Sequence, residues 1–416
     1  MQHLLRPSTS THISHFLRRS FASTPLRMSD VVILSAARTP VGSFNGSLKK
    51  LTAPQLGAIV VKGAIEKAGV KAEDVEEVYL GNVLQANIGQ SPARQAAIGA
   101  GLPQSTEATT INKVCASGMK SIMLAAQSLK NGDRSLMVAG GMESMSNVPF
   151  YFPRNASYGH QTANDGIIKD GLWDIYNDIH MGNCAEETAK KYSITREDQD
   201  NFAIESYSRS TKAWAAGVYK NEIVPVTIPD PRKGDVEVVE DEDYSKLKLD
   251  KIKTLKPVFQ KNGGTVTAAN ASNLNDGASA LVLATQAKAD ELSVKPLAKI
   301  IAYADGACAP IDFPIAPATA SIPAALKKAG LKAEDINLWE INEAFSVVVP
   351  ASCKILGIST DKINVNGGAV ALGHAIGSSG SRIVVSLVHA LKQGEYGCAA
   401  VCNGGGGSSA IIVQKL

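Results

Sequence analysis

The stretches AGVKAED (68–74) and AGLKAED (329–335) share six of seven residues at an offset of 261, and each runs into a short apolar segment, VEEVYLGNV (75–83) and INLWEINEA (336–344). At an offset of 262, SGMKSIMLAAQSLKNG (117–132) matches SGSRIVVSLVHALKQG (379–394). Both of these segments space their apolar residues at the helical period and end on glycine, a helix stop. SLMVAGGM (135–142) and CAAVCNGG (398–405) follow them as strands. A repeat of this length means two copies of one α/β unit, and strands alternating with helices predict layered α/β architecture with mixed or parallel sheets. The two copies are expected to pack as a pseudo-twofold pair, with equivalent elements facing one another across a shared centre.

The segment between the copies differs in texture. It holds an aromatic and polar stretch (150–181), a helical segment near 194–217, and the charged run RKGDVEVVEDEDYSKLKLDKIK (232–253). Such a run reads either as a solvated face or as part of an inserted lobe covering a site. A structureless linker of this size does not fit inside a compact chain.

The full chain has 416 residues, 44% hydrophobic and 19% charged, with a formal charge of +3. Arg6, Arg18, Arg19 and Arg27 lie in the first 28 residues, which contain no acid, so the rest carries about −1. A near-neutral body argues against nucleic acid as a partner, because duplex binding needs a basic face. No apolar run reaches the ~20 residues of a membrane span. Residues 1–28 are rich in Arg and Ser, with Leu4, Leu5, Ile13, Phe16 and Leu17 among polar neighbours. This is the composition of a mitochondrial transit peptide, which places the product in the matrix. Met28 offers a second start, from which a cytosolic product would arise.

Six cysteines are scattered along the chain without a CxxC pair or a His at ligand spacing. That pattern fits neither a disulfide scaffold nor a zinc site. Cys115 directly precedes the first repeated helix, where the helix dipole and free N–H groups favour a thiolate. Position alone leaves it open between a buried structural thiol and a nucleophile. His374, in NGGAVALGHAIGSSG (366–380), precedes the second copy of that helix, and the twofold reading brings it toward Cys115. Cys402 and Asn342 lie at the ends of predicted strands, and Gly404–Gly407 can bring backbone N–H groups to a developing oxyanion. Walker A, GxGxxG and GxSxG patterns are absent, which speaks against a P-loop, a dinucleotide fold and a serine hydrolase.

Taken together, Cys115 in VCASGMK, Asn342-Glu343-Ala344-Phe345, Gly373-His374 and Cys402-Asn403-Gly404 resemble, in this order, the four active-site motifs of the thiolase family. The resemblance runs from about residue 30 to the C-terminus. HMGNCAE (180–186), GTVTAANAS (264–272), PIDFPIAP (310–317) and GGAV (367–370) are similar to its mitochondrial acetoacetyl-CoA branch.

The resemblance implies an α/β fold of five layers, αβαβα, built from an N-terminal half (29–147 with 272–294) and a C-terminal half (295–416). An inserted loop domain (148–271) would cover CoA, and the assembly would be a homotetramer, a dimer of dimers. It also implies an acetyl-CoA C-acetyltransferase that condenses two acetyl-CoA to acetoacetyl-CoA plus CoA and catalyses the reverse thiolysis. Cys115 would be the nucleophile, His374 its base, and Cys402 the acid/base acting on the second substrate. One oxyanion hole would combine His374 with a water on Asn342; the other would combine the N–H groups of Cys115 and Gly404.

By resemblance CoA and the acyl group would meet Tyr207, Lys246, Leu247, Lys248, Lys251, Ser272, His180, Met181, Phe313 and Pro314. The Phe313-Pro314 pair would go with accepting a 2-methyl branch. Potassium would sit at Tyr207, Ala268, Ala269, Ala271 and Val370 as an activator, with no redox cofactor and no divalent metal. Two positions depart from the family: Ala375 follows His374 where Pro is usual, and Lys246 replaces an Arg that could fork and stack. A broad-specificity 3-ketoacyl-CoA thiolase of β-oxidation stays open as an alternative. So does a ketoacyl synthase-like enzyme, against which Cys402 argues.

Overall fold

The apolar runs of both repeats assemble into one mixed ten-stranded sheet. The computed structural model describes residues 29–155, 158–229, 231–232 and 234–416; the expected transit peptide and the expected Met28 start lie outside the described residues. Nine strands follow the order Leu338–Ile341, Tyr396–Asn403, Gly407–Lys415, Ala298–Ala307, Val31–Arg38, Asn275–Thr285, Leu136–Ser144, Glu77–Gly81, Glu107–Ile111. The short strand Gly42–Ser43 pairs with Asn275 and Asp276.

This order reads almost the same from either end. Val31–Arg38 pairs antiparallel with Asn275–Thr285 and shifts register between Ile33 and Ser35. Ala298–Ala307 pairs antiparallel with Gly407–Lys415 and shifts register at the corresponding place, between Ile300 and Ala302. The next pairing is antiparallel in both halves and the one after it parallel in both. The halves join where Val32 and Ile33 face Lys299 and Ala298.

Alternation along a strand sends successive side chains to opposite faces, and here it separates the layers. Val31 and Ile33 face a central core that includes Met119, Ile122, Ile383, Val384, Ala399 and Val413. Val32 and Leu34 face an outer core with Leu56, Val60 and Ala96 from helices Ala53–Ala68 and Pro92–Gly99. On the other half, Ala400 and Ile412 pack against Ile322, Ala325 and Val348 from helices Ile322–Ala329 and Val348–Leu356. The repeated helices Ser117–Asn131 and Ile376–Ala390 are therefore sandwiched between the two sheet halves, which gives the five αβαβα layers.

Corresponding glycines let these two helices cross closely. A Cβ on Gly118 would lie 2.5 Å from Ser381 Oγ, and one on Gly380 would lie 2.7 Å from Met119 N. One of their ends differs from the expected glycine stop. The first helix stops on left-handed Gly132 (φ 81°), but the second stops at Ala390 with extended Leu391 as its cap. Gly394 instead lies in the turn beyond, its N–H donating to Lys415 O.

The charged run between the copies is more than a solvated face. Val236–Val238 pairs with Val226–Ile228, and Asp241 is buried against the guanidinium of Arg38 with contacts of 2.6 and 2.8 Å. Glu222 takes Nε of the same Arg38 at 2.5 Å. The inserted segment is thus anchored to the first strand through a fully buried cation. Helix Arg196–Ala215 opens with Thr195 and Asp198 capping each other's backbone N–H groups.

Candidate active site

Cys115 lies in the tight segment that enters the first buried helix. The preceding Val114 has φ +48°, a left-handed conformation that strains a β-branched residue. Several ties hold it there: Lys113 N donates to Ser117 Oγ at 2.8 Å, Ser117 Oγ donates to Val114 O at 2.6 Å, and Val114 N donates to Asn112 Oδ1 at 3.0 Å. Lys113 Nζ crosses to the other half and bonds Asp305, Ser408 O and Ser409 Oγ.

The Cys115 thiol is buried, and burial pushes its pKa up to about 12 against the N–H groups of Gly404 and Cys115, which lower it. This corrects the expectation from helix position. The dipole and N–H groups do act on the sulfur, but desolvation of a thiolate outweighs them. At rest Cys115 is therefore a neutral thiol.

His374 supplies the candidate base. Its backbone N–H donates to Asn275 Oδ1 at 2.9 Å, and Asn275 Nδ2 donates to Asp243 Oδ2 at 2.8 Å. Gly373, with φ +103°, admits this contact, because a Cβ there would lie 2.4 Å from the Asn275 side chain. His374 Nδ1 meets Ser379 Oγ at 2.6 Å, and Ser379 donates to Ala375 O at 3.0 Å. With the serine proton committed there, Nδ1 carries the imidazole proton and Nε2 keeps a free lone pair. Nε2 is buried without a partner. Burial first, and the Arg382 charge second, lower the His374 pKa to about 3.

Cys402 ends strand Tyr396–Asn403 and is fully buried. Burial raises its pKa, and the Cys115 sulfur nearby raises it further. Asn342 follows strand Leu338–Ile341; its N–H donates to Ala400 O at 3.0 Å, yet both side-chain amide atoms are buried without partners. An orphaned buried amide is costly unless water or substrate completes it. At Gly404 a Cβ would come within 3.3 Å of Met181 Cε, so glycine gives room at this turn.

Cys115 and His374 both line one cavity of about 290 Å³, with His180, Met181, Ser272, Ala344 and Phe345 among its other walls. His180 stacks on Phe259 at 4.7 Å between centroids and caps helix Met181–Lys191 by accepting from Gly182 N at 3.0 Å. Ser272 Oγ donates to Ala344 O at 2.8 Å.

The other sequence candidates lie around this cavity rather than in its wall. Phe313 and Pro314 are buried; Phe313 borders a second cavity, of about 500 Å³, and Met181 lines both. Lys246, Lys248 and Lys251 are exposed, and Lys246 is held by Glu242 and Asp243 at 3.1 and 3.2 Å. Leu247 packs beside Tyr207, Ala269 and Val370 in one small buried cluster, whereas Ala268 is exposed and Ala271 half-buried. Burial first, then the charges of Asp243 and Glu343, push Tyr207 up to about 12. Among the described residues, no group of three or more His, Cys, Asp or Glu is placed to hold a metal ion.

The family model for the thiolase N-terminal domain matches residues 31–287, and that for the thiolase C-terminal domain matches residues 294–415. The chain belongs to the thiolase family. Among its relatives, "Acetyl-CoA acetyltransferase, mitochondrial" of Danio rerio is 61% identical over 413 residues, covering 99% of this chain and 98% of that one. The protein of the same name from Bos taurus is 61% identical over 402 residues, covering 96% and 95%. The Acat5 thiolase of Ascaris suum, solved in complex with coenzyme A, superposes with a TM-score of 0.90 at 49% identity over 93% of this chain and 100% of its own. The chain is thus an acyltransferase of the thiolase class, and its layered α/β architecture is the thiolase fold.

Several residues that shape this thiolase site carried no sequence signal. Asn275 reaches His374 from a strand about 100 positions away, which no spacing rule finds. Ser379 had a weak one: it sits five residues after His374, in the first turns of the same helix. Of the remaining cysteines, Cys184 and Cys398 are buried, and Cys308 and Cys353 are half-buried.

Proposed function

We propose that this chain is an acetyl-CoA C-acetyltransferase, condensing two acetyl-CoA to acetoacetyl-CoA and CoA and catalysing the reverse thiolysis. The observation that carries the reading is the cavity that Cys115 and His374 share, with His374 Nε2 buried and without a hydrogen-bond partner. The names of the mitochondrial relatives and the coenzyme A held by the Ascaris protein support the substrate class.

A neutral thiol beside a neutral imidazole sets the order of proton movements. As Cys115 Sγ attacks the thioester carbonyl, Nε2 takes its proton, and the N–H groups of Cys115 and Gly404 meet the developing oxyanion. Cys402 gives its proton to the departing CoA thiolate. The acetyl-enzyme then stands beside a Cys402 thiolate and a His374 imidazolium. When the second acetyl-CoA enters, Cys402 takes its α-proton. The enolate oxygen is met by Nε2–H and by a water held on Asn342. Attack on the acetyl group releases Cys115, which recovers its proton from His374. Each group ends as it began.

CoA would lie over Ser272 and His180, with Met181 at the acyl end and Tyr207, Leu247, Lys246, Lys248 and Lys251 toward the nucleotide. Lys246 must leave Glu242 and Asp243 to reach it. Phe313-Pro314 would bear on a 2-methyl branch from behind Met181. Potassium would be held at Tyr207, Ala268, Ala269, Ala271 and Val370, mostly by carbonyls. The negative potential of Asp243 and Glu343 at Tyr207 suits a monovalent cation there. The cation's part would be to steady the CoA-binding segment. The assembly is a homotetramer; residues 1–28 direct the product into the mitochondrial matrix and are removed there, whereas a start at Met28 gives a cytosolic form. The inserted domain 148–271 covers CoA between the halves 29–147 with 272–294 and 295–416.

The test is a pair of variants assayed with acetoacetyl-CoA and CoA. Cys115→Ser abolishes acetyl-enzyme formation, whereas Cys402→Ala still allows Cys115 to be acetylated but blocks condensation. Wild-type turnover in Cys115→Ser overturns the reading. Equal thiolysis of C4 and C16 substrates overturns the choice of acetoacetyl-CoA. Assays of the 2-methyl analogue, with and without KCl, decide the branch and the cation.

A further inference from the structure

Glu143, on strand Leu136–Ser144, is fully buried and lies outside every motif considered so far. Its carboxylate is met from both halves of the molecule. Oε1 accepts from Asn82 Nδ2 at 2.7 Å and Leu84 N at 3.3 Å. Oε2 accepts from Val83 N at 2.9 Å and from Gly377 N at 3.0 Å. Gly377 belongs to the first turn of the second buried helix, three residues after His374 and two before Ser379.

The repeat gives this contact a meaning. At the 262 offset Gly377 is the counterpart of Cys115, each standing at the entry of its buried helix. At the first helix the N–H groups of Cys115 and Gly404 converge on the Cys115 sulfur, where substrate oxyanion would form. At the second helix the corresponding N–H is taken by a carboxylate from the opposite half. The backbones pack tightly around Gly377: a Cβ on Gly377 would lie 2.7 Å from Glu143 Oε2, and one on Gly141 would lie 2.1 Å from Gly377 O.

We infer that Glu143 is a positioning residue, its carboxyl group seated in the pseudo-twofold counterpart of the oxyanion hole. It fixes the start of the helix that carries Ser379, and through it the imidazole of His374 opposite Cys115. The inference rests on the reading of Cys115 and His374 as the reacting pair. Both carboxylate oxygens accept two donors, so glutamine cannot replace glutamate there without setting an amide N–H against a backbone or Asn82 N–H.

The experiment uses the full chain with Glu143→Gln, Glu143→Ala and Asn82→Ala, each checked for folding by thermal melting and assayed for thiolysis of acetoacetyl-CoA. Misplaced by a fraction of an ångström, the imidazole should lose about 100-fold in kcat in Glu143→Gln, with KM held within about threefold. Formate should restore about tenfold of that activity in Glu143→Ala by refilling the anion seat, and none in Glu143→Gln. Asn82→Ala, which removes one donor and leaves the carboxylate, should lose about fivefold in kcat at unchanged KM. Folded Glu143 variants with wild-type kcat overturn the proposal, as does Glu143→Ala that is folded, slow and indifferent to formate. If neither Glu143 variant folds, wild-type kcat in Asn82→Ala overturns it. An inactive Cys115→Ser alongside an unaffected Glu143→Gln rejects this inference alone; an active Cys115→Ser rejects the reading beneath it.

Discussion

His374 Nδ1 lies 2.6 Å from Ser379 Oγ, and the Ser379 hydroxyl donates a hydrogen bond to Ala375 O at 3.0 Å. One serine hydroxyl thereby decides which imidazole nitrogen keeps a free lone pair. The serine reaches the ring because the helix that follows His374 starts two residues later and brings position 379 back over the loop.

Removing that hydroxyl should free the tautomer without emptying the site. Ser379→Ala is expected to lower kcat by about tenfold while leaving KM nearly unchanged, since only the population of the Nδ1–H form is altered. Steady-state kinetics, together with the imidazole nitrogen shifts by NMR, checks both halves of the statement.

Asn342 should separate stability from catalysis. Its amide atoms have no protein partner, so Asn342→Ala removes no internal hydrogen bond and should change unfolding free energy by less than about 1 kcal/mol. The water it would hold beside the enolate is lost, which should cost about 100-fold in kcat for condensation. Urea unfolding and a condensation assay measure the two effects on one sample.

Acid should destabilise the fold through His374. The pKa of this group is lowered from 6.5 to about 3, so the native state keeps it neutral where the unfolded chain binds a proton. Its contribution is fully present above pH 6.5 and fades as the pH falls toward 3. Between pH 7.5 and 4.5 the wild type should lose about 2–3 kcal/mol more than His374→Asn. Parallel urea titrations at the two pH values give the difference, and identical slopes would falsify the assignment.

Arg38 should show how firmly the inserted segment is bound to the sheet. Replacing it with Met leaves Glu222 and Asp241 buried without their cation, at a cost of about 3–5 kcal/mol. The further substitutions Glu222→Gln and Asp241→Asn should recover part of that loss, and the triple variant's thermal midpoint tests it.

The repeat was legible because equivalent layers need equivalent apolar spacing, and this survives in AGVKAED and AGLKAED and in the two buried helices. Cys115, His374, Cys402 and Asn342 were legible as candidates because each sits where a strand or helix ends, the place where a chain can turn a side chain toward a shared centre. Leu391 in place of a glycine stop, and the burial of Asp241 and Asp243 within a run left open between a solvated face and an inserted lobe, were not legible. Both depend on what lies across from them: Lys415 O receives the Gly394 N–H, and Arg38 receives Asp241.

By itself, the sequence of this chain determined the doubled α/β architecture, the nucleophile and base candidates, and the thiolase motifs, because periodicity and local turn chemistry are written along the chain. Only the tertiary structure decided the protonation of the site. A helix entry favours the Cys115 thiolate, but enclosure between two sheet halves removes the water a thiolate would need, and the balance falls on the neutral thiol. The partners that then settle the geometry, Asn275 and Glu143, come from strands far away in sequence, since desolvation and long-range hydrogen bonds are properties of the folded interior.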